Sequence, residues 1–170
     1  MILDNYRSLC QVLANYHHGA PIVLTNGCFD ILHSGHVKLL KRCAGISYGI
    51  NALNDRPPSI VIVAIDSDES VRALKGNERP INTFQDRAFI VNALKPVNYV
   101  VRMDSETLDY LIRFIKPTVY VKGAEYRDSL NPSNVETLQE VGCRIEYCTM
   151  EPNKSSTAYI NHINNIIEKN

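Results

Sequence analysis

Apolar positions along this chain switch repeatedly between two rhythms. Leu3, Leu9, Val12 and Leu13 fall at helical spacing, which predicts a helix over residues 3–16. His17-His18-Gly19 ends it, and Pro21 blocks its continuation. Ile22-Val23-Leu24 reads as a short buried strand, and Ser34 to Ala44 as a helix with Val37, Leu40 and Ala44 on one side. Ile60 to Ile65 is a continuous apolar run, as expected of a parallel strand covered on both faces. Asp66-Ser67-Asp68 offers helix caps, Val71 and Leu74 an apolar face, and Gly76 a stop. Thr83 with Asp86 resembles a capping box for a helix running through Leu94.

The same alternation continues to the end. Asn98 to Arg102 predicts a strand, and Asp104 to Lys116 a helix striped by Leu108, Leu111, Ile112 and Ile115. Thr118 to Val121 is a further buried strand, Asn134 to Val141 a helix, and Arg144 to Thr149 a less covered strand. Ser155 opens a last helix expected to turn Ile160, Ile163 and Ile167 inward. Only Gly45 to Ser59 breaks the pattern, and it reads as an exposed loop. Alternating strands and helices predict an α/β fold with a doubly wound, mostly parallel sheet of five strands.

Composition narrows the function more than the fold. The 170 residues suit one domain, 1–170, led by an N-terminal helical segment over residues 1–19. Lys+Arg and Asp+Glu both number 18, so the net charge is zero. That speaks against holding long nucleic acid through an overall field, but not against a small anion held by local donors. Met1 to Tyr16 is too mixed for a signal peptide, and no apolar run approaches the ~20 residues of a membrane span. The five cysteines lack Cys-x-x-Cys spacing, which points to reduced thiols in a cytoplasmic protein. From the charge balance and the short apolar runs, neither a nucleic-acid nor a membrane partner is expected.

One stretch carries chemistry: Thr25-Asn-Gly-Cys-Phe-Asp-Ile-Leu-His-Ser-Gly-His36. It joins a strand to the next helix, where open parallel sheets bind ligands. Gly27 permits a sharp turn after the strand. His33 and His36, three apart at a helix start, face the same way. Gly35 between them leaves the first helical N–H groups open to a phosphate. Taken alone, two such histidines could equally be surface or core residues. Zinc would need further ligands at fitting spacing, and none is evident.

Gly-x-Phe-Asp followed by His-x-Gly-His resembles the signature of the nucleotidyltransferase superfamily that contains cytidylyltransferases and pantetheine-phosphate adenylyltransferase. Leu74-Lys-Gly-Asn-Glu-Arg-Pro-Ile-Asn82, Val121-Lys-Gly-Ala-Glu-Tyr126 and Ser155-Ser-Thr157 follow in order. Together these motifs look like the adenylyltransferase domain of ADP-heptose synthases, from about Leu9 to Ile167. The resemblance implies a Rossmann-like sheet of order 3-2-1-4-5. The implied activity is transfer of a nucleotidyl group, with ATP as donor and D-glycero-β-D-manno-heptose 1-phosphate as acceptor. Mg²⁺ would arrive through the triphosphate, and a homo-oligomer is a family expectation.

The resemblance also distributes roles. His33, His36 and Lys75 become catalytic. Asn26, Gly27, Cys28, Phe29, Gly35, Lys122, Gly123, Glu125, Ser155, Ser156 and Thr157 become nucleotide-binding. Arg79 and Arg87 become substrate or phosphate ligands, and Asp30 a structural or metal-supporting residue. Cys28 is a small filler rather than a nucleophile. Read without the family, Lys75 is as well a solvated helix-end cation, Arg79 and Arg87 surface charges, and Ser155 to Thr157 plain caps. Three departures bear on the acceptor: the long Gly45–Ser59 link, Lys154-Ser-Ser-Thr-Ala-Tyr159 where the family usually has Ser-Thr-Thr-Asn, and the absence from these residues of the kinase domain often fused to this enzyme. Two rivals stand beside this reading, a CTP-dependent glycerol-3-phosphate-type cytidylyltransferase and a nucleotide-binding regulator without turnover.

Overall fold

A computed structural model describes residues 1–17, 19–52, 58–104, 108–149 and 155–168. Its centre is one parallel sheet. The strands are β1 (Ile2–Leu3), β2 (Ile22–Gly27), β3 (Ile60–Asp66), β4 (Tyr99–Met103), β5 (Val119–Gly123) and β6 (Arg144–Cys148). Their order is β1-β4-β3-β2-β5-β6, and all pairs are parallel. The helices are α1 (Tyr6–Tyr16), α2 (Ser34–Ala52), α3 (Asp68–Lys75), α4 (Phe84–Asn92), α5 (Leu108–Ile115), α6 (Pro132–Glu140) and α7 (Ser156–Ile167).

Alternate positions of each central strand feed two cores. Leu24, Ile62, Val101 and Tyr120 pack beneath α1, α5 and α6. Val23, Val63, Val100 and Val121 pack beneath α2 and α4. Burying such aliphatic side chains contributes about 1.5–3 kcal/mol each, which is why β3 is apolar on both faces. The chain reverses direction between β3 and β4 on one side of β2 and β5 on the other. The switch point of the sheet therefore falls at the carboxyl end of β2, beside β5.

Three expectations need correction. The sheet has six strands, not five. Ile2–Leu3 forms an edge strand on β4, held where the N-terminal ammonium donates to Asn92 Oδ1 at 2.7 Å and Asn98 O at 3.0 Å. Two residues are too few to show a period, so Leu3 reads as helical although α1 starts only after the Asn5 cap. Around that addition, the five strands read from the sequence run β4-β3-β2-β5-β6.

The Gly45–Ser59 segment is not a loop throughout, because α2 continues to Ala52. Ile46 and Ser47 are buried, and Ile50 packs on the second core. Gly45 and Gly49 stand on the exposed face. Their cost of about 1 kcal/mol each is outweighed by the apolar stripe. Residues 53–57 lie outside the described residues. Last, Ile163 and Ile167 of α7 are 52% and 67% exposed rather than inward. The two cores are already closed by other helices, and neither includes a residue of α7.

The lower end of α2 is clipped to β3. Ser47 Oγ and Ser59 Oγ lie 2.6 Å apart, Ser59 Oγ donates to Ser47 O at 2.8 Å, and Ser59 N–H donates to Asn51 Oδ1 at 2.6 Å. Ser59→Ala should lower unfolding free energy by about 0.5–1.5 kcal/mol, since it removes the Ser59 hydroxyl's bonds to Ser47 while Ser47 Oγ keeps the Ser59 carbonyl at 3.3 Å. The clip sits at the amino end of β3, roughly 20 Å along the strand from its carboxyl end. Triphosphate affinity should therefore stay unchanged. Urea titration and calorimetry read the two quantities separately.

Candidate active site

A cavity of about 480 Å³ opens above the carboxyl ends of β2, β3 and β5. Its floor begins with the turn after β2. Gly27 lies against the Phe29 ring, which an added Cβ would meet at 3.4 Å, an ordinary contact. Phe29 has φ of +50°, a left-handed backbone that is costly for a bulky side chain. Its ring is buried and lies 4.8 Å from the His36 ring. His33 stacks on His36 at 3.8 Å, both at the start of α2. Gly35 is buried between them.

Burial pushes the His36 imidazole down to about 3, helped by the neighbouring His33 and Lys75. The ring is neutral at pH 7 and can donate one N–H without carrying charge. Its Nδ1 is buried with no hydrogen-bond partner among the described residues.

Opposite the histidines, Lys122 rises from β5. Burial pushes its ammonium down to about 8 against the pull of Asp66, Cys28 and Glu125. It donates to Asn26 Oδ1 at 2.7 Å and to Asn26 O at 3.0 Å, and it sits 4.9 Å from the Tyr126 ring centre. Asn26 is also held by Tyr120 OH at 2.6 Å. Gly123, Glu125 and Tyr126 continue this wall. A third wall is the end of α3, where exposed Lys75 borders the cavity beside the Gly76 cap. The fourth is the start of α7. Ser155 caps that helix by accepting from Ala158 N–H, while Ser156 Oγ bonds both N–H and C=O of Ile31 at 3.3 Å. Ser156 thereby anchors the α7 N-terminus to the histidine loop, with Thr157 at the rim.

Most of the expected residues thus border one cavity; Gly35 is buried beneath it, and three others stand differently from expectation. Arg87 is fully buried and donates to the carbonyls of Cys28, Asp66 and Asn82 and to Asp68 Oδ1 at 2.7 Å. Arg79 is buried against Asp30, with Nε 2.7 Å and Nη2 2.6 Å from Oδ2. Neither borders the cavity. Direct contact of either arginine with a phosphate is corrected to a positioning role, because both guanidiniums are already bound to protein oxygens.

Asp30 is the third exception. It borders the cavity, but its carboxylate accepts Ile81 N–H, Asn82 N–H and Arg79. Burial pushes its pKa up, and these hydrogen bonds and the charge of Arg79 outweigh that and hold it below the usual carboxylate value. With its oxygens so committed, Asp30 does not fit as a metal ligand. No group of three or more His, Cys, Asp or Glu suited to a metal occurs among the described residues.

Cys28 donates to Asp66 Oδ2 at 3.1 Å, and burial with the Asp66 charge pushes its thiol up to about 11. It is no nucleophile. The residue that sequence reading missed is Asp66, seen only as a possible cap. Nothing in a strand-end aspartate followed by Ser67 distinguishes a cap from a cavity wall, and Ser67 takes the capping task.

Paired imidazoles at a helix start, lysines on two sides and a second helix N-terminus converge on one point. They suit the charge that shifts when a nucleotidyl group changes partners, and so define a nucleotidyltransferase site. The chain belongs to the cytidylyltransferase-like family, whose model matches residues 24–162. Curated relatives named "Bifunctional protein HldE" include one from Geobacter metallireducens, 39% identical over 95% of this chain and 31% of its own length. Another, from Desulfatibacillum aliphaticivorans, is 37% identical over 86% of this chain and 28% of its own length. The chain thus spans less than a third of these relatives.

Among solved structures, a lipopolysaccharide core biosynthesis protein from Thermoplasma volcanium shares the fold. Its TM-score is 0.55 at 21% identity, over 78% of this chain and 98% of that one. So does a pantoate-beta-alanine ligase from Francisella tularensis, with a TM-score of 0.59 at 16% identity over 95% of this chain and 72% of that one. No helix among the described residues is long and apolar enough to cross a membrane.

Removing Arg79 leaves the Asp30 charge buried and unpaired. Arg79→Ala should cost about 3–5 kcal/mol of stability. Because the folded-state pKa of Asp30 is depressed, its stabilising contribution is present above its unfolded value near 3.8 and fades as pH falls through the lower folded value. Urea midpoints measured from pH 6 downward should fall below about pH 4 in the native protein. That acid-dependent loss should be smaller in Asp30→Asn.

Proposed function

We propose that the chain transfers the adenylyl group of ATP to a sugar 1-phosphate of the heptose type and releases pyrophosphate. The observation that carries this reading is the meeting of His33, His36, Lys75, Lys122 and Ser156 around one cavity. The heptose branch is favoured by the Lys75-to-Asn82 and Lys122-to-Tyr126 stretches and by the relatives named above. In the reaction a sugar-phosphate oxygen bonds to the α-phosphorus while the bond from that phosphorus to the bridging oxygen breaks. Such a step needs alignment and charge stabilisation more than covalent help.

His36 and His33 donate hydrogen bonds to the α-phosphate and the leaving oxygens. The Phe29 ring and the imidazole stack fix their aim before substrate arrives, so little reorganisation is needed. Lys75 reaches the phosphates from the α3 side and Lys122 from the β5 side. The N–H groups at the start of α7 receive the triphosphate tail, as helix N-termini do for anions. Backbone at Gly123 reads the base edge, with Glu125 and Tyr126 beside it. Mg²⁺, if carried by the triphosphate oxygens, would neutralise charge on the departing pyrophosphate. Asp30 has no part in holding it.

Pyrophosphate release tests the reading, measured with each triphosphate against a panel of phosphorylated acceptors. ATP with a sugar 1-phosphate should be the productive pair, and release with no pair would favour a binding regulator. Steady-state kcat/KM should favour ATP over CTP, and the reverse order would move the chain to the glycerol-3-phosphate-type rival. His36→Ala should fold normally by circular dichroism and lose roughly a hundredfold or more in kcat. Near-normal turnover in that variant would remove His36 from the mechanism.

A further inference from the structure

One wall of the cavity is unused by this mechanism, and its charge is of the wrong sign for phosphate. Asp66 ends β3, is 7% exposed and borders the cavity. Among the described residues its carboxylate receives a single hydrogen bond, from the Cys28 thiol to Oδ2. Among the described residues no donor meets Oδ1 and no ion pair closes on the group; the Lys122 ammonium, whose protonated form the Asp66 charge favours, donates to Asn26 instead. A buried carboxylate so weakly satisfied is costly unless something else donates to it. The phosphate tail of ATP cannot, since its oxygens only accept and would be repelled. Hydroxyl groups can.

The surroundings of Asp66 point the same way. Asp66 is the register partner of Met103 on β4, so both side chains stand on the same face of the sheet. Leu108, at the start of α5, joins them at the cavity. A carboxylate beside two apolar side chains matches a sugar, which offers hydroxyl edges and a C–H face. Lys122 and the base-edge residues stand on β5, beyond β2, close enough for the Asp66 charge to act on Lys122 and Tyr126. Met103 stands on β4, the other side of Asp66 from β5, which leaves that side of the cavity to an acceptor.

We propose that Asp66 is the acceptor-specificity residue: its carboxylate takes hydrogen bonds from hydroxyl groups of a sugar phosphate whose ring rests on Met103 and Leu108. This rests on the adenylyltransferase reading above. The test uses the full chain, ATP, the best sugar 1-phosphate from the panel and its monodeoxy analogues, with Asp66→Ala and the isosteric Asp66→Asn. Asp66→Ala should lower kcat/KM for the varied acceptor by roughly 10- to 100-fold, the value of hydrogen bonds to a charged group. ATP affinity by calorimetry should stay within about twofold, which also shows that the variant folds.

One deoxy analogue should be poor with the native protein and no poorer with Asp66→Ala, because the lost hydroxyl and the lost carboxylate are the same interaction. If Asp66→Ala does not fold, the same comparison is read on Asp66→Asn. Unchanged acceptor kinetics, or a loss that falls on ATP instead, overturns the assignment while leaving the adenylyl-transfer reading intact. Failure of the native protein with every sugar phosphate overturns that reading, and this assignment with it.

Discussion

Two buried arginines that stand outside the cavity hold its rim in shape. Arg79 closes on the Asp30 carboxylate, and the same carboxylate accepts the N–H groups of Ile81 and Asn82. Arg87 reaches the carbonyls of Cys28 and Asp66, which end two neighbouring strands, and Asn82 beyond them. The turn after β2, the end of β3 and the segment between α3 and α4 are thus fastened at one buried centre. Guanidinium suits this task because its planar fork binds several oxygens at fixed angles and stays charged when buried. The histidines, Lys75 and the carboxylate of Asp66 all project from pieces so fastened.

The remaining architecture follows from separation of labour along the strands. Apolar residues in the middle of β2 to β5 bind the helical layers, while polar residues appear at the last one or two positions of each strand. Asn26, Asp66 and Lys122 belong to this fringe. They neighbour one another because parallel register aligns strand ends. A parallel sheet thus gathers distant chain segments at one edge without any of them being adjacent in sequence.

Much of this was legible because it is local. The run Ile60 to Ile65 has one sensible packing, and Ser67, Thr83 and Ser155 cap the helices their spacing predicts. The histidine loop could be placed because a strand, a glycine and a helix start stand in series. What was not legible depends on partners far along the chain. Arg87 reads as a surface charge until the Cys28 and Asp66 carbonyls arrive from 59 and 21 residues away. Ile163 and Ile167 have core composition, but whether a core reaches them depends on where other helices lie. The continuation of α2 past Gly45 was hidden because glycine propensity is a local penalty, while the burial of Ile46 that overrides it is tertiary.

Phe29 carries strain and burial in one residue. Gly or Asn would adopt its left-handed backbone at less cost. Its ring, however, is buried in the second core and stands against His36. Deleting such a ring costs about 3–5 kcal/mol, against about 1–3 kcal/mol of backbone strain relieved. Packing and the aim of the imidazole therefore pull in the same direction at this turn: the core that forces the backbone into an uncomfortable shape is also what holds His36 in place.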